Sequence, residues 1–412
     1  MIVNNTAFLC GYFSVSGPAT PPAGWSPVSI ISSDNYAVLK KYYFPEFVRF
    51  WAEEVSCYRM SIDKDVSITL RDGSSVSFRT EELRIYMMPK DLVLCTVKVL
   101  FPGMEADLVT QAMFCLRECC YYDQNRLGQF LSDVIRPVDE AFRALGGIRT
   151  TEGADYSHLV ENGNKFKVFQ IIQSEDCPAD ARRRDRFLYS SGTLTPYVPE
   201  GPCPTDVRYF ARMMQKSRIG IYNTWTALAL LDTFTFVSTP LSEFLERVFQ
   251  HDYFGMIYLY ELYRKCILYH YNVLFREGKR DPAILQKELD EFERNYVFPS
   301  LSYNFLPAEI DSYVAAGLDI EQEDSRLNRF IAREVSAREA DSDNRRERLL
   351  LFLTLLAGFS AFWDIVCLLD ELVNYESVFR IPNVGYRVFS VILFLVISVC
   401  AWVIGRGNRS RK

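Results

Sequence analysis

The sequence predicts an α/β cytoplasmic domain, a long helical stalk and a C-terminal two-helix transmembrane hairpin, in a chain that forms homo-oligomers. Two apolar runs near the C-terminus, 349–369 and 388–404, predict the hairpin. A charged stretch without Gly or Pro, 320–348, predicts the stalk. Before it, strand-like and helix-like apolar patterns follow each other, which is typical of a mixed α/β domain.

Four regions are expected along the 412 residues. They are the α/β domain 1–238, a helical region with the stalk 239–348, the hairpin 349–404 and a basic cytoplasmic tail 405–412. The N-terminal stretch lacks a basic segment followed by a long apolar one, so no signal peptide is expected there. The hairpin is therefore expected to direct membrane insertion.

Two β-hairpins are predicted early in the α/β domain. Residues 67–78 alternate around the turn Asp72-Gly73, and residues 83–101 contain a second strand pair around Pro89. Apolar residues at every third or fourth position predict helices at 106–120, 126–145 and 205–214. Further strands are predicted at 166–172, 187–189 and 226–237, and a polar loop at 146–165.

Residues 253–277 are dense in aromatic side chains and long enough to suggest a further membrane span. The segment also carries Glu261, Arg264 and Lys265, and each charge costs about 2.5–3.5 kcal/mol at the centre of a bilayer. A buried helix of the soluble region, ended by Gly278, is therefore predicted instead.

The stalk carries a narrow apolar seam on an otherwise polar surface. Leu327, Phe330, Ile331 and Val335 recur at helical spacing. If the helix continues into the first apolar run, residues 324–369 form one helix about 69 Å long. Self-association around a central axis buries the seam, so homo-oligomers are expected. A solvated linker helix on a monomer is the alternative.

The two apolar runs have the length and flanking charges of membrane spans. At about 1.5 Å per residue, runs 349–369 and 388–404 rise about 31 and 25 Å, close to the roughly 30 Å of a bilayer core. The outer ends of the pair are flanked by basic residues, namely Arg345, Arg346, Arg348, Arg406, Arg409, Arg411 and Lys412. Because basic residues stay on the cytoplasmic side, both termini are expected there. Burial of both helices in a soluble core is the alternative.

Asp364 lies inside the first apolar run, and an ionisable residue within a span is a candidate functional residue. The predicted pore-lining face, which shares one side of a helix, comprises Thr354, Ala357, Gly358, Ala361 and Asp364. Around a symmetry axis, Asp364 forms a ring of carboxylates that attracts cations. The predicted outer rim comprises Asp370, Glu371 and Asn374. Alternatively, Asp364 lies near the outer interface and reaches headgroup water.

A second candidate site is a cluster of arginines followed by small hydroxyl residues. It comprises Arg182, Arg183, Arg184 and Arg186, with Ser190, Ser191 and Thr193. Adjacent guanidinium groups bind phosphate well, so this cluster is a candidate site for a phosphate or a nucleotide. A solvated charged loop is the alternative.

Enzyme chemistry is not expected. The sequence contains no P-loop, no HExxH, no GxSxG and no dinucleotide-binding glycine pattern. His251-Asp252 is similar to the doublet of metal phosphohydrolases, but those enzymes need more histidines than the three present here. A resident metal is therefore not assigned. The net charge of −6 argues against direct nucleic-acid binding.

The order of these parts resembles the CorA-like superfamily of metal-ion transporters and channels. Residues 352–370, FLTLLAGFSAFWDIVCLLD, look like the first span of divergent bacterial members, and the resemblance is strongest over 301–412. It implies a homopentamer in the bacterial inner membrane, multi-pass with both termini cytoplasmic, whose first spans line a pore for a metal cation.

One departure from the family changes the expected function. The family carries Gly-Met-Asn at the outer end of the first span, where this chain reads LLDELVN over 368–374. The chain therefore looks more like members associated with type III CRISPR antiviral defence, in which a nucleotide second messenger opens the channel. Two alternatives are a constitutive divalent-cation transporter of the magnesium type and a membrane-tethered binding protein without a pore. The expected partners are the lipid membrane, further copies of the chain and the nucleotide.

Overall fold

A computed structural model divides the chain into two compact units, 1–331 and 332–412. It describes residues 1–15, 21, 23–31, 33–118, 124–147, 165–197 and 205–375, with 388, 391, 392 and 394. Apart from those last four residues, the second apolar run and the basic tail lie outside the described residues. Most of the loop predicted at 146–165 also lies outside them.

The first unit is built on a mixed sheet of nine strands in its described part. The strands are β1 (Ile2–Ser14), β2 (Ser26–Val28), β3 (Ser56–Thr69), β4 (Ser75–Met88), β5 (Leu92–Glu105), β6 (Lys167–Gln173), β7 (Arg218–Ile219), β8 (Trp225–Ala229) and β9 (Thr233–Ser238). Their order across the sheet is β2-β3-β4-β5-β1-β6-β9-β8-β7. Strands β6 and β9 run parallel, and the other neighbours are antiparallel.

Helices follow and separate these strands. They are α1 (Ser33–Leu39), α2 (Pro45–Arg49), α3 (Ala106–Arg117), α4 (Gln124–Phe130), α5 (Arg136–Ala144), α6 (Ala181–Thr193), α7 (Val207–Ser217), α8 (Glu243–Arg247), α9 (Phe254–Arg276), α10 (Pro282–Tyr296), α11 (Phe305–Gly317) and α12 (Ile320–Tyr375). Helices α2, α4 and α8 each continue into a π-helical turn, at Phe50–Glu54, Leu131–Ile135 and Val248–Asp252.

Both predicted hairpins are confirmed, and their strands are longer than predicted. Gly73 has a φ of +88° in the β3–β4 turn, a conformation that glycine adopts without strain. Lys90 and Asp91 have φ of +62° and +57° in the three-residue connection between β4 and β5. Positive φ is typical of hairpin turns whose twist matches that of the strands, and the two strands pair from Met88 with Leu92 to Arg79 with Leu100.

One predicted strand is wrong. Residues 187–189, predicted as a strand, lie inside helix α6. The cause is that a short apolar run does not distinguish a buried strand from a buried helix. The strand prediction at 226–237 is confirmed, as two antiparallel strands with a turn between Ala229 and Thr233.

The two faces of the sheet carry different layers. On one face, side chains such as Leu9, Ile85 and Val97 join the main hydrophobic core with Met113 of α3. On the other face, Phe8, Phe169 and Phe234 lie opposite one another on β1, β6 and β9 and stack at 5.5 and 5.6 Å between ring centroids. Tyr258 of α9 stacks on Phe234 at 5.7 Å. Helix α9 is therefore the aromatic cover of the second face.

Helix α9 is buried, as the sequence predicts, and its charges have partners inside the first unit. Glu261 is fully buried and accepts two hydrogen bonds from Arg264, at 2.8 and 3.0 Å. Asp311 of α11 shares a hydrogen bond with Glu261. Lys265 forms an ion pair with Glu323, in the first turn of α12. The charges therefore connect three helices of the same unit.

Helix α12 is one continuous helix of 56 residues that belongs to both units. Its part in the first unit is packed there, since Ile320, Leu327 and Ile331 are buried. Two of the four predicted seam residues are thus covered by the chain itself, whereas Phe330 is 49% exposed. Within Ile320–Ile365 the helix contains an 18-residue stretch with a mean hydropathy of 1.6, which is long and apolar enough to cross a membrane.

The Glu261–Asp311 pair predicts a pH effect on stability. Burial and the neighbouring Glu261 raise the pKa of Asp311 well above its usual range, because Arg264 neutralises Glu261 and leaves Asp311 to hold the proton. The folded chain then holds one more proton than the unfolded chain from about pH 4 up to the raised pKa, so stability falls as pH rises, by at most about 1.4 kcal/mol per pH unit. We expect the stability of Asp311→Asn to fall less steeply.

Chemical denaturation of both proteins between pH 5 and 9 measures this difference. Asp290→Asn, which removes an exposed carboxylate of α10, is the matched control and should follow the wild type. Parallel profiles for Asp311→Asn and the wild type would show that Asp311 is ionised in the fold.

Candidate functional site

The predicted pore-lining face lies on α12 and is exposed at every position. Thr354, Ala357, Gly358, Ala361 and Asp364 are all exposed. Asp364 is the charged residue within 349–369. The Thr354 hydroxyl donates to the Leu350 carbonyl oxygen at 2.7 Å, which leaves the helix surface there small and weakly polar. Of the predicted site residues, these five are the ones that the structure places together.

The opposite side of the same helix segment is partly covered. Leu355, Phe359, Phe362 and Trp363 are half-buried, and they lie about 160–260° round the helix from Asp364. The ring of Phe359 contacts Phe394 of the second apolar run, at 4.3 Å between centroids. Within the described part of the chain, the aromatic side of α12 is therefore partly covered and the side with Asp364 is exposed.

The predicted outer rim lies in the last turns of α12, where its three positions fall within about 100° of the helix circumference, turned away from the predicted pore-lining face. Glu371 follows Asp364 by seven residues, so the two positions align within about 20°. Asp370 and Asn374 lie about 80–120° away from that line. Only position 371 therefore continues the line of Asp364 along the helix.

The arginine cluster lies in the first half of α6. Asp180 caps the helix by accepting from the Arg183 backbone N–H at 2.9 Å, and Arg182 and Arg183 are exposed. Arg184 donates to the Asn223 carbonyl oxygen at 2.8 Å, and the neighbouring Asp185 pairs with Arg218 at 2.8 Å. Part of the cluster thus holds α6 against the start of β7 and the segment before β8.

The hydroxyl residues lie at the other end of α6 and bond to the local backbone. Ser190 and Ser191 are buried, and Ser190 donates to the Pro196 carbonyl oxygen at 3.4 Å. Thr193 donates to the Tyr189 carbonyl oxygen at 2.8 Å. Eight residues of helix, about 12 Å, separate Arg182 from Ser190. The structure therefore does not bring the exposed guanidinium groups and the hydroxyls to one site, and ligand binding there stays a prediction.

A partly enclosed cavity of about 70 Å³ lies between the sheet and the N-terminal end of α9. Its floor includes Arg84, Thr96 and Cys10, and its roof includes the doublet His251-Asp252. Of the residues that line the cavity, only that doublet stands out in the sequence. The lining residues are spread from Phe8 to Leu259, so no local motif indicates the cavity.

Three cations lie near His251 on the roof of the cavity. Burial, together with the nearby Arg84, Lys98 and Arg247, lowers the pKa of His251 to about 3. Arg84 and Arg59 bind the same buried carboxylate, Glu82, at 2.8 and 2.7 Å. His251 is therefore neutral at physiological pH and is not a proton carrier there.

A comparison with protein-family models, with curated proteins and with solved structures finds no match to this chain. Among the described residues, no group of three or more His, Cys, Asp or Glu side chains is arranged to hold a metal ion. The resemblance to CorA-like proteins therefore rests on the sequence features alone.

The cap of α6 gives a test of how the arginine cluster is held. Asp180→Ala removes the side chain that binds the Arg183 backbone N–H, so we expect it to lower the free energy of unfolding by about 1 kcal/mol. Arg182→Gln, two residues on and exposed, should change it by less than about 0.5 kcal/mol. Chemical denaturation of both variants measures this, and equal effects would contradict the role of Asp180 as a cap.

Proposed function

We propose that the chain is a ligand-gated ion channel of the CorA-like type, in which α12 lines the pore of a homopentamer in the bacterial inner membrane. The observation that carries the proposal is the uncovered carboxylate of Asp364 on a helix long and apolar enough to span a bilayer. The proposed role is antiviral defence of the type III CRISPR kind, with a nucleotide second messenger as the opening signal.

Asp364 is costly inside a bilayer. A carboxylate at the centre of a span costs about 2.5–3.5 kcal/mol unless it meets water or a partner, and Asp364, five residues from the midpoint of 349–369, bears part of that cost. The chain's own aromatic contact, Phe359 with Phe394, lies on the opposite side of α12 and does not supply one. Copies arranged around an axis give each Asp364 a shared aqueous lumen, and their small residues allow the helices to approach closely.

The proposal includes gating because α12 is anchored in the first unit. Lys265 of α9 pairs with Glu323 in the first turn of α12, and Leu327 and Ile331 in the following turns are buried. A ligand that shifts α9 would change the contacts that hold the start of α12. A continuous helix then carries the change toward Asp364.

A membrane-tethered binding protein without a pore is the second candidate. The cavity between the sheet and α9 favours it, because a binding cavity needs no oligomer. This candidate predicts ion-tight membranes with every ligand. A constitutive divalent-cation transporter predicts magnesium flux without any nucleotide.

Liposomes containing the protein test the channel directly. We expect potassium and magnesium flux that rises when adenine or guanine nucleotides are added to the side of the first unit. Asp364→Asn should lower cation flux by about tenfold at low ionic strength, because a carboxylate ring concentrates cations, and by less at high salt.

The matched control is Trp363→Phe, one residue away on the half-buried side of α12, which should leave the flux near the wild-type level. Equal flux through Asp364→Asn and the wild type at low salt would show that Asp364 does not line the pore. Liposomes that stay tight under every condition would favour the tethered binding protein.

A further inference from the structure

We propose that the cavity between the sheet and the N-terminal end of α9 binds the oxyanion group, carboxylate or phosphate, of a small molecule. The site is separate from the pore-lining face of α12 and does not depend on the channel being formed. Its volume of about 70 Å³ is that of roughly two water molecules, which suits one such group with the rest of the molecule leaving through the open side.

The floor of the cavity is a row of polar side chains across three strands. Arg84 on β4 lies opposite Thr96 on β5, and Thr96 lies opposite Cys10 on β1. Residues opposite one another in neighbouring strands point to the same face of the sheet. The pairing therefore presents a guanidinium and a hydroxyl side by side, next to the aromatic wall formed by Phe8 and Phe169.

Two buried donors on the cavity lining have no hydrogen-bond partner among the described residues. They are the Trp51 indole N–H and the Tyr258 hydroxyl, on side chains that are each 1% exposed. An unpaired buried donor costs stability, so native proteins keep few of them without a functional reason. Both groups donate hydrogen bonds to acceptor oxygens, which an oxyanion supplies.

The electrostatic balance favours an anion. Arg59 and Arg84 share the single carboxylate of Glu82, which leaves one positive charge uncompensated within that group. Every charged neighbour that shifts His251 is a cation, and Asp252 is the one acidic side chain on the lining. Burial raises the pKa of Asp252.

The start of α9 adds main-chain donors. Gly255 and Met256 line the cavity within the first turn of this helix of 23 residues, where backbone N–H groups have no intrahelical acceptor. The positive end of the helix dipole lies at the same place. A side chain at 255 is excluded, because its Cβ would lie 1.9 Å from the Gln250 carbonyl oxygen, so glycine is required where α9 meets the π-helical turn.

The binding test uses the whole chain in detergent and reads thermal stability and calorimetric heat, without any flux measurement. The probes are inorganic phosphate and AMP for the phosphate class, and acetate and benzoate for the carboxylate class. We expect at least one class to bind and raise the melting temperature of the wild type. Binding by one class and not the other identifies the source of the oxyanion. If no probe of either class binds at millimolar concentration, the proposal is wrong.

Tyr258→Phe separates a binding role from a structural one. The substitution removes one unpaired oxygen, so the ligand-free variant should melt at the same temperature as the wild type or higher. Its affinity for the binding probe should fall about tenfold or more, the effect of losing a hydrogen bond to a charged group. Trp51→Phe should weaken binding in the same direction.

Arg182→Gln on α6 is the control and should leave binding unchanged. A ligand-free Tyr258→Phe that melts lower than the wild type, with unchanged affinity for the probe, would overturn the proposal. Because binding is read without a membrane, tight liposomes would contradict the channel and leave this site in place.

Discussion

The packing of the first unit depends on one constraint, which is that the buried charges on α9 need partners. Glu261 is fully buried, and an unpaired carboxylate there would cost several kcal/mol. Arg264 and the protonated Asp311 supply its partners, while Lys265 finds Glu323. These partners come from α9, α11 and α12, so satisfying the charges also fixes how the three helices pack. The aromatic face of α9 then closes the second side of the sheet.

One element therefore connects the two proposed functional regions. The first turns of α9 line the cavity through Gly255 and Tyr258, and the middle of the same helix holds the start of α12 through Lys265. About 10 Å of helix separates Tyr258 from Lys265. If both proposals hold, an anion bound at the start of α9 would act on the helix that anchors α12, which would give ligand binding a physical route to Asp364.

The sequence predicts those parts of the structure that depend on local patterns. The two hairpins follow from alternation around defined turns, and α9 follows from helical spacing with charges. Long-range partners were not predictable. The central strand β1 pairs with β5 and β6, which are distant in sequence, and Arg84, Cys10 and Tyr258 become neighbours only through strand pairing and the cover of α9. The arginines and hydroxyls of 182–193 are close in sequence, but helix α6 places them at its opposite ends.

We propose that further copies of the chain cover the exposed side of α12 in the membrane. Native mass spectrometry of the chain in lipid nanodiscs measures this most directly, because it counts copies without requiring a ligand or an open pore. We expect a particle with five copies, in which each Asp364 faces a shared axis. A particle with a single copy would contradict it, since Asp364 would then face lipid with no partner.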